Sequence, residues 1–336
     1  MDFHDKHLDS IQSLRGITAL FIVLEHIRFL NCGAFGVDVF FCISGFMIMF
    51  STHKGTEHFL AKRLIRILPF YYIMTLGTFL MLLAFPNMFA QTQADPMFLV
   101  KSLLFIPFDI GGGILQPLMR IGWTVNCEMF FYLLFFLSLR ISHKYRGLIC
   151  SGLIALVVAA AALLPVSFAP LTFYGSPVML EFILGILAYY ICRELYKIHA
   201  AGTLPRFCLP LSLAVILLGF LGLLATKPYI NVLGFRRPIL WGIPALAIVF
   251  SSFVTGLYLK MPTPFIKLGD ISFSLYLVHY YPVTILDRKV FDFSSYSPRA
   301  LLGAAVSLSV SVLFALICHS LIEKRLSGLL RKIFIK

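Results

Sequence analysis

Long apolar segments recur along the whole of this 336-residue chain, and each is about as long as a membrane-spanning helix, roughly 20 residues. Only 13% of the residues are charged and 60% are hydrophobic. That balance leaves too few charges for the surface of a soluble globule of this size. The sequence therefore excludes an ordinary soluble protein and predicts an all-α integral membrane protein.

The apolar windows predict about ten transmembrane helices. The predicted spans are residues 14–30, 35–52, 66–85, 123–140, 147–165, 176–193, 207–225, 238–257, 269–287 and 299–323. Because the loops between them are mostly short, we expect a single membrane domain over residues 1–336, with short tails at 1–13 and 324–336. The segment 97–108 is apolar but too short to span, so we expect it to be re-entrant or interfacial.

The basic residues indicate the orientation of these helices. Most of the 28 Lys and Arg residues fall in alternate loops, on the side of the N-terminus, and loops rich in Lys and Arg stay in the cytoplasm. We therefore expect both termini to be cytoplasmic. The net charge of +13 follows from this topology, since the basic residues form no continuous stripe for nucleic acid. The seven cysteines and nine histidines show no metal-ligand spacing, so no metal site is expected.

Two ionisable residues in the first predicted span are candidates for function, because such groups are costly in a bilayer. Arg15 and His26 are eleven residues apart. This spacing is about three helical turns, so both side chains share one face, about 16 Å apart along the axis. The alternative is an arginine that reaches the inner interface and a histidine satisfied by a neighbouring helix.

Three acidic residues are predicted at the same depth as His26, in the second, fourth and sixth spans: Asp38, Glu128 and Glu181. A carboxylate beside a neutral histidine fixes its tautomer and stabilises the imidazolium, which suits a general base. The alternative is that each acid pairs structurally with Arg28, with Arg120 or with a helix end.

Polar side chains gather at the start of the fourth predicted span, in the run W-T-V-N-C-E from Trp123 to Glu128. This run favours Glu128 over Glu181 as the acid near the chemistry, and it makes Trp123 and Asn126 candidate substrate contacts. Glu181 and His279 are further candidates for substrate binding. His279 lies near mid-membrane in the segment SLYLVHYYP, where a packed core histidine is the alternative.

A basic motif, K-R-x-x-R, directly precedes the third predicted span and consists of Lys62, Arg63 and Arg66. Residues three apart share a helix face, so Arg63 and Arg66 have a geometry suited to phosphate groups. An anchor for anionic lipids is the alternative.

Small residues form an edge on the second predicted helix: Gly36, Ser44 and Gly45. Such an edge favours the close approach of a neighbouring helix.

Five motifs occur in an order and spacing that resemble the acyltransferase-3 family of integral membrane enzymes. They are SLRGITALFIVLEH, which contains the R-x10-H pair of Arg15 and His26, GVDVFFCISGF, KRLIRILPFYY, GWTVNCEMFFYLLFF and LGDISFSLYLVHYYPV. The block 123–132 makes the chain especially similar to the exopolysaccharide O-acetyltransferase branch.

The resemblance implies a ten-helix fold that takes acetyl groups from cytoplasmic acetyl-CoA and acylates a carbohydrate hydroxyl at the outer side of the bacterial inner membrane. It also implies that His26 is the catalytic histidine, that Arg15 is its essential partner, and that Arg63 with Arg66 is the cytoplasmic R-x-x-R pair. Acetyl-CoA would be a substrate, with no permanently bound cofactor. The expected partners are acetyl-CoA, a polysaccharide or lipid-linked glycan acceptor, the lipid bilayer and polysaccharide assembly machinery.

The residues and the resemblance together favour a membrane O-acetyltransferase that uses a histidine general base. The expected catalytic residues are His26, Arg15, Glu128 and Asp38. The expected CoA-binding residues are Arg63, Arg66 and Lys62. The expected substrate-binding residues are Trp123, Asn126, Glu181 and His279. Two other functions are open: a transporter or flippase of a lipid-linked glycan that uses the intramembrane acids as a proton relay, and a structural partner in a polysaccharide assembly complex.

Overall fold

The computed structural model describes residue 3 and residues 8–53, 55–85, 94–164, 168–228 and 234–335. Within these residues the secondary structure is helical, apart from an isolated β-bridge between Asp109 and Leu115. The α-helices in chain order are α1 (Asp9–Glu25), α2 (Gly36–Ser51), α3 (Phe59–Ala84), α4 (Pro96–Leu103), α5 (Trp123–Ile141), α6 (Arg146–Leu163), α7 (Ala169–Tyr174), α8 (Leu180–Ala200), α9 (Cys208–Thr226), α10 (Ile243–Tyr258), α11 (Thr263–Asp270), α12 (Ser272–Val278), α13 (Tyr280–Leu286), α14 (Pro298–Cys318) and α15 (Lys324–Phe334). The predicted all-α class is confirmed.

Six helical stretches of the described chain are long and apolar enough to cross a membrane. They are Phe59–Ala84, Arg120–Ile141, Arg146–Leu163, Cys208–Thr226, Gly234–Tyr258 and Pro298–Phe334. A further apolar helix, Gly36–Ser51, is shorter. Leucines such as Leu217 and Leu218 are exposed on α9, which suits a surface that faces lipid tails. The count of ten spans and the cytoplasmic termini stay predictions.

Two helix boundaries differ from the predicted ones in a way that matters for the candidate residues. Helix α1 ends just before His26, so this histidine caps the helix and does not lie inside it. Helix α3 begins at Phe59, and the basic motif 62–66 therefore lies within the helix. The prediction that the motif precedes the helix was wrong because Lys and Arg are good helix formers that a hydropathy window excludes.

The predicted span 269–287 is interrupted at His279, between α12 and α13. Pro282 explains the break, because a proline ring clashes with the carbonyl four residues earlier, here that of Val278, and cannot donate a hydrogen bond to it. His279 therefore lies at a helix break near the middle of this segment.

The chain forms two compact units. The first unit comprises Met1–Gly55 and Leu180–Leu316, and the second comprises Thr56–Met179 and Ile317–Lys336. The single membrane domain expected over residues 1–336 stays a prediction.

In the first unit, helices α2 and α8 meet through two glycines. A Cβ atom on Gly45 would overlap the backbone carbonyl of Phe182, and a Cβ atom on Gly185 would overlap that of Cys42. The backbones approach this closely only because neither glycine carries a side chain. The small-residue edge predicted on α2 is confirmed at Gly45.

In the second unit, α15 and α4 are both tied to other elements by hydrogen bonds. The Ser327 hydroxyl on α15 donates to the Ile65 carbonyl on α3 at 3.0 Å. The Tyr71 hydroxyl on α3 donates to the Ser102 carbonyl on α4 at 3.1 Å. The expected tail 324–336 is thus largely helical, and the expected re-entrant or interfacial segment 97–108 contains the short helix α4.

Candidate active site

Two histidines that are 253 residues apart in the sequence meet in the first unit. The Nδ1 atom of His26 lies 3.2 Å from the Nε2 atom of His279, and the ring centroids are 4.8 Å apart. His279 is fully buried. The ring of Tyr280 lies against that of His26 at 5.4 Å, edge to face. His26 therefore contacts two adjacent side chains at the break between α12 and α13.

Each histidine of this pair also contacts a carbonyl of its own helix. The Nδ1 atom of His26 is 3.0 Å from the Ile22 carbonyl oxygen. The Nδ1 atom of His279 is 3.1 Å from the Leu275 carbonyl oxygen. Both rings are thus fixed by a main-chain contact one helical turn earlier as well as by each other.

The segment that follows α1 is closed onto the helix by Glu25. Its carboxylate accepts hydrogen bonds from the backbone amides of Gly33 at 2.7 Å and Ala34 at 2.9 Å. Because Glu25 directly precedes His26, these bonds fix the backbone on which the histidine is carried.

An ion-pair cluster joins the same segment to the end of α13. Arg28 contacts Asp287 at 2.8 Å and Asp292 at 3.0 Å. The backbone amide of Ser294 and the nearby Arg28 guanidinium hold the pKa of Asp292 below its usual value. Arg28 was considered as a partner for the acids at the depth of His26, but it pairs with these two aspartates.

Arg15 lies in the N-terminal half of α1, where its guanidinium donates to the Gln12 side-chain oxygen at 3.2 Å. The Gln12 amide in turn donates to Asp270 at 2.8 Å. The close contact between α1 and α11, in which a Cβ on Gly16 would lie 2.7 Å from the Gly269 nitrogen, brings these groups together.

Two of the predicted acids, Asp38 and Glu181, belong to a buried cluster around Arg237. Arg237 binds both oxygens of Asp38, at 2.8 and 2.9 Å, and its Nε atom lies 4.0 Å from Glu181. Both acids are fully buried, and the guanidinium lies over the Trp241 ring at 5.2 Å. These acids thus pair with Arg237, and not with Arg28, which was the alternative considered from the sequence. Sequence reasoning missed this pairing because no local signal links Asp38 to a residue 199 positions away.

Glu128 and the basic motif come together in the second unit. Glu128 accepts a hydrogen bond from the Tyr132 hydroxyl, and the Arg63 guanidinium lies 5.4 Å from the Tyr132 ring centroid. Sequence reasoning placed Glu128 and the arginines at opposite ends of their helices and did not single out Tyr132. The i to i+4 spacing of Glu128 and Tyr132 was the available signal.

Asn126 is the most unusual polar residue at the start of α5. It is fully buried, and neither its side-chain nitrogen nor its oxygen has a hydrogen-bond partner among the described residues. Buried amides nearly always have partners, so these atoms are suited to a bound molecule. Trp123, the first residue of α5, is half-buried. Within the described part of the chain, no three metal-ligating side chains come together.

The predicted pairing of His26 with Asp38 or Glu128 stays a prediction. The structure places His26, Arg15, Asp38, Glu181 and His279 in the first unit, and it places the other candidates in the second unit: Lys62, Arg63, Arg66, Trp123, Asn126 and Glu128. The partners that sequence reasoning missed are Gln12, Tyr132 and Arg237.

Comparisons with known proteins agree with the resemblance found in the sequence. The chain is 28% identical over 302 residues to the exopolysaccharide production protein ExoZ of Rhizobium meliloti (strain 1021), covering 88% of this chain and 89% of ExoZ. It is 24% identical over 189 residues to the "Putative peptidoglycan O-acetyltransferase YrhL" of Bacillus subtilis (strain 168), covering 50% of this chain and 30% of that protein. No solved structure matches the chain. The acyltransferase domain that defines the acyltransferase-3 family matches residues 8–316, and the chain therefore belongs to this family.

Proposed function

We propose that this protein is a membrane O-acyltransferase that moves an acetyl group from cytoplasmic acetyl-CoA to a hydroxyl of a cell-surface or exported carbohydrate. Membership of the acyltransferase-3 family supports acyl transfer, and the names of the two relatives point to exopolysaccharide and peptidoglycan. The observation that carries the proposal is the contact between His26 and His279, because it holds an imidazole in a fixed orientation within the matched domain.

In the proposed reaction His26 is the general base. As the acceptor hydroxyl oxygen attacks the thioester carbonyl carbon, its proton moves to His26. The carbon–sulfur bond then breaks, the coenzyme leaves as a thiolate, and the proton on His26 passes to the sulfur. The products are the carbohydrate ester and the free thiol of CoA, so no net proton is consumed. General base catalysis of this kind contributes roughly 10²- to 10⁴-fold.

The basic motif on α3 is the proposed site for the CoA phosphates. Arginine binds phosphate oxygens through two parallel hydrogen bonds, while lysine acts as a point charge. Lys62 is exposed, and Arg63 and Arg66 are half-buried. Arg15 lies on α1 and is oriented by Gln12. We propose that it supports acyl transfer.

Asn126 and Glu181 are the proposed polar contacts for substrate, because both are fully buried and carry polar atoms without hydrogen-bond partners in the described structure. An amide can donate to and accept from a hydroxyl. Trp123 would add an aromatic surface. Glu128 is the further acid–base candidate. We assign Asp38 to holding Arg237, since that arginine engages both of its oxygens.

The proposed location is the bacterial inner membrane, with about ten spans and both termini in the cytoplasm. Acetyl-CoA would then meet the basic motif from the cytoplasm, and the acceptor would be a polysaccharide or lipid-linked glycan reached from the outer side. Polysaccharide assembly machinery is the proposed protein partner.

The test is transfer of radiolabel from acetyl-CoA into envelope polysaccharide, in membranes that contain the wild type, His26→Ala or His143→Ala. His143 is an exposed histidine between α5 and α6 and serves as the matched control. We expect His26→Ala to lose at least about 10²-fold of the rate and His143→Ala to keep it. Full activity of folded His26→Ala would exclude this residue as the base.

A second candidate function is a transporter or flippase of a lipid-linked glycan. The observation that favours it is the pair of fully buried acids, Asp38 and Glu181, around one arginine, since intramembrane acids of this kind serve proton relays. This function predicts glycan movement without CoA. Absence of label in the wild type, with several acceptors tried, would favour it.

A further inference from the structure

The hydrogen position on His26 follows from its neighbours. A carbonyl oxygen only accepts hydrogen bonds, so the contact between the Ile22 oxygen and Nδ1 of His26 at 3.0 Å requires a hydrogen on this nitrogen. The same Nδ1 atom also faces Nε2 of His279 at 3.2 Å. The His26 N–H therefore points toward two acceptors, the carbonyl and the second imidazole.

The hydrogen position on His279 then follows as well. Two N–H groups cannot face each other at 3.2 Å, so Nε2 of His279 must carry a lone pair and accept from His26. A ring with a lone pair on Nε2 carries its hydrogen on Nδ1, and that nitrogen lies 3.1 Å from the Leu275 carbonyl oxygen. The two assignments agree. In the series of contacts that runs from the Leu275 oxygen through His279 and His26 to the Ile22 oxygen, every contact joins a donor to an acceptor.

This arrangement decides which nitrogen of His26 is basic. With its hydrogen on Nδ1, neutral His26 has its lone pair on Nε2. In the opposite tautomer the Nδ1 lone pair would face the Ile22 carbonyl oxygen, and that hydrogen bond would be lost. The tautomer with its hydrogen on Nδ1 therefore fits the contacts of His26 with Ile22 and His279.

We propose that His279 is a positioning residue that selects the Nε2-basic tautomer of His26 and stabilises the imidazolium formed when His26 takes up a proton. The inference rests on the proposed function, because it assumes that His26 is the base. In this role His279 does what a carboxylate does in many catalytic histidine pairs, but it does so as a neutral acceptor. His279 thus acts through His26, and the substrate-binding role expected from the sequence is replaced.

Two features of the fold place His279 for this task. The break caused by Pro282 lies at His279, and the next residue, Tyr280, also contacts the His26 ring edge to face. His26 in turn caps the C-terminus of α1, where the last carbonyls of a helix favour a positive charge. The helix C-terminus and the acceptor nitrogen of His279 would thus both stabilise an imidazolium at His26.

The kinetic test compares His279→Leu with His279→Gln in the full-length protein. Glutamine places a carbonyl oxygen near the position of Nε2 and can accept from His26, whereas leucine fills a similar volume without an acceptor. We expect His279→Leu to lower kcat by roughly 10²-fold, with the KM for acetyl-CoA within about twofold of the wild type, and His279→Gln to recover at least about tenfold of that loss. His143→Leu is the matched control.

The spectroscopic test reads the tautomer directly. Protein labelled with ¹⁵N-histidine, in lipid nanodiscs, gives distinct nitrogen shifts for protonated and unprotonated ring nitrogens, and a His26→Ala sample assigns the His26 signals. We expect a protonated Nδ1 and an unprotonated Nε2 in the wild type, and a mixture of tautomers in His279→Leu.

The outcomes separate the two proposals. The role of His279 would be overturned by either of two results. One is a His279→Leu variant that is as active as the wild type, and the other is a wild-type spectrum that places the hydrogen on Nε2 of His26. If the wild type transfers no acetyl label, the proposed function fails, while the spectrum still decides the tautomer. If His279→Leu does not fold, His279→Gln and the wild-type spectrum still decide the proposal.

Discussion

Removing one partner of the Asp38–Arg237 pair should destabilise the first unit strongly. Arg237 binds both oxygens of Asp38 at 2.8 and 2.9 Å, and the acid is fully buried while the arginine side chain is 20% exposed. In Asp38→Asn the guanidinium would keep its charge in a largely dry site without its main counter-ion. The fold therefore loses the attraction while it still bears the cost of desolvating the arginine.

The size of the effect can be bounded from the same geometry. Breaking a buried ion pair by removing one partner costs about 3–5 kcal/mol. Glu181 lies 4.0 Å from the Arg237 Nε atom and can take over part of the interaction, so Asp38→Asn should cost about 2–3 kcal/mol. Arg237→Met leaves two buried acids without a cation and should cost about 3–5 kcal/mol. The double variant should be less destabilised than the sum by about 2 kcal/mol.

The assay is reversible unfolding in mixed micelles for the wild type, both single variants and the double variant. Five of the seven cysteines are buried, so thiol reactivity reports the opening of the fold. Arg193 and Glu194 supply the matched control, because they also pair at 2.8 Å but with side chains 37% and 53% exposed. Glu194→Gln should give no measurable change. If the two single effects add within about 0.5 kcal/mol, the pair is not coupled and the reasoning fails.

Three further predictions concern a helix contact, a buried amide and the loop 290–296. Gly45→Leu forces a side chain onto a backbone carbonyl of the facing helix and should lower the free energy of unfolding by about 1–3 kcal/mol. Gly77→Ala should not lower it, because a Cβ atom at Gly77 meets open space. Asn126→Leu removes an amide without hydrogen-bond partners in the described structure. It should lower acetyl transfer by about tenfold and leave thermal stability unchanged. A loss of stability with normal transfer would contradict the role of Asn126 in binding. The Ser294 amide holds the pKa of Asp292 low, so the contribution of this carboxylate is present at neutral pH and is lost as the pH falls through its folded pKa. The protection of the amides in the loop 290–296, measured relative to their intrinsic exchange rates at each pH, should therefore fall in acid for the wild type, and Asp292→Asn should abolish that pH dependence.

The amino-acid sequence determined the features that depend on local periodicity. Hydropathy alone gave the all-α class, because an apolar segment of about 20 residues has few other folds open to it in a bilayer. The spacing of Arg15 and His26 related both to the first helix, although His26 caps its C-terminus. The small residue at Gly45 marked the face that a second helix approaches. Pro282 was an available signal for the break at His279, but the hydropathy window passed over it and an uninterrupted span was predicted.

The tertiary structure decided which of these helix faces meet. His26 and His279 are 253 residues apart, and Asp38 and Arg237 are 199 residues apart, so no local pattern relates them. Helical periodicity fixes the face and the approximate depth of a side chain, which is why more than one acid was eligible as a partner of His26. The choice among them depends on interhelical packing through contacts such as Gly45 with Gly185, and that information is spread over the whole chain. The sequence therefore singled out His26 as a candidate, while only the assembled helices showed that a second histidine, His279, lies against it.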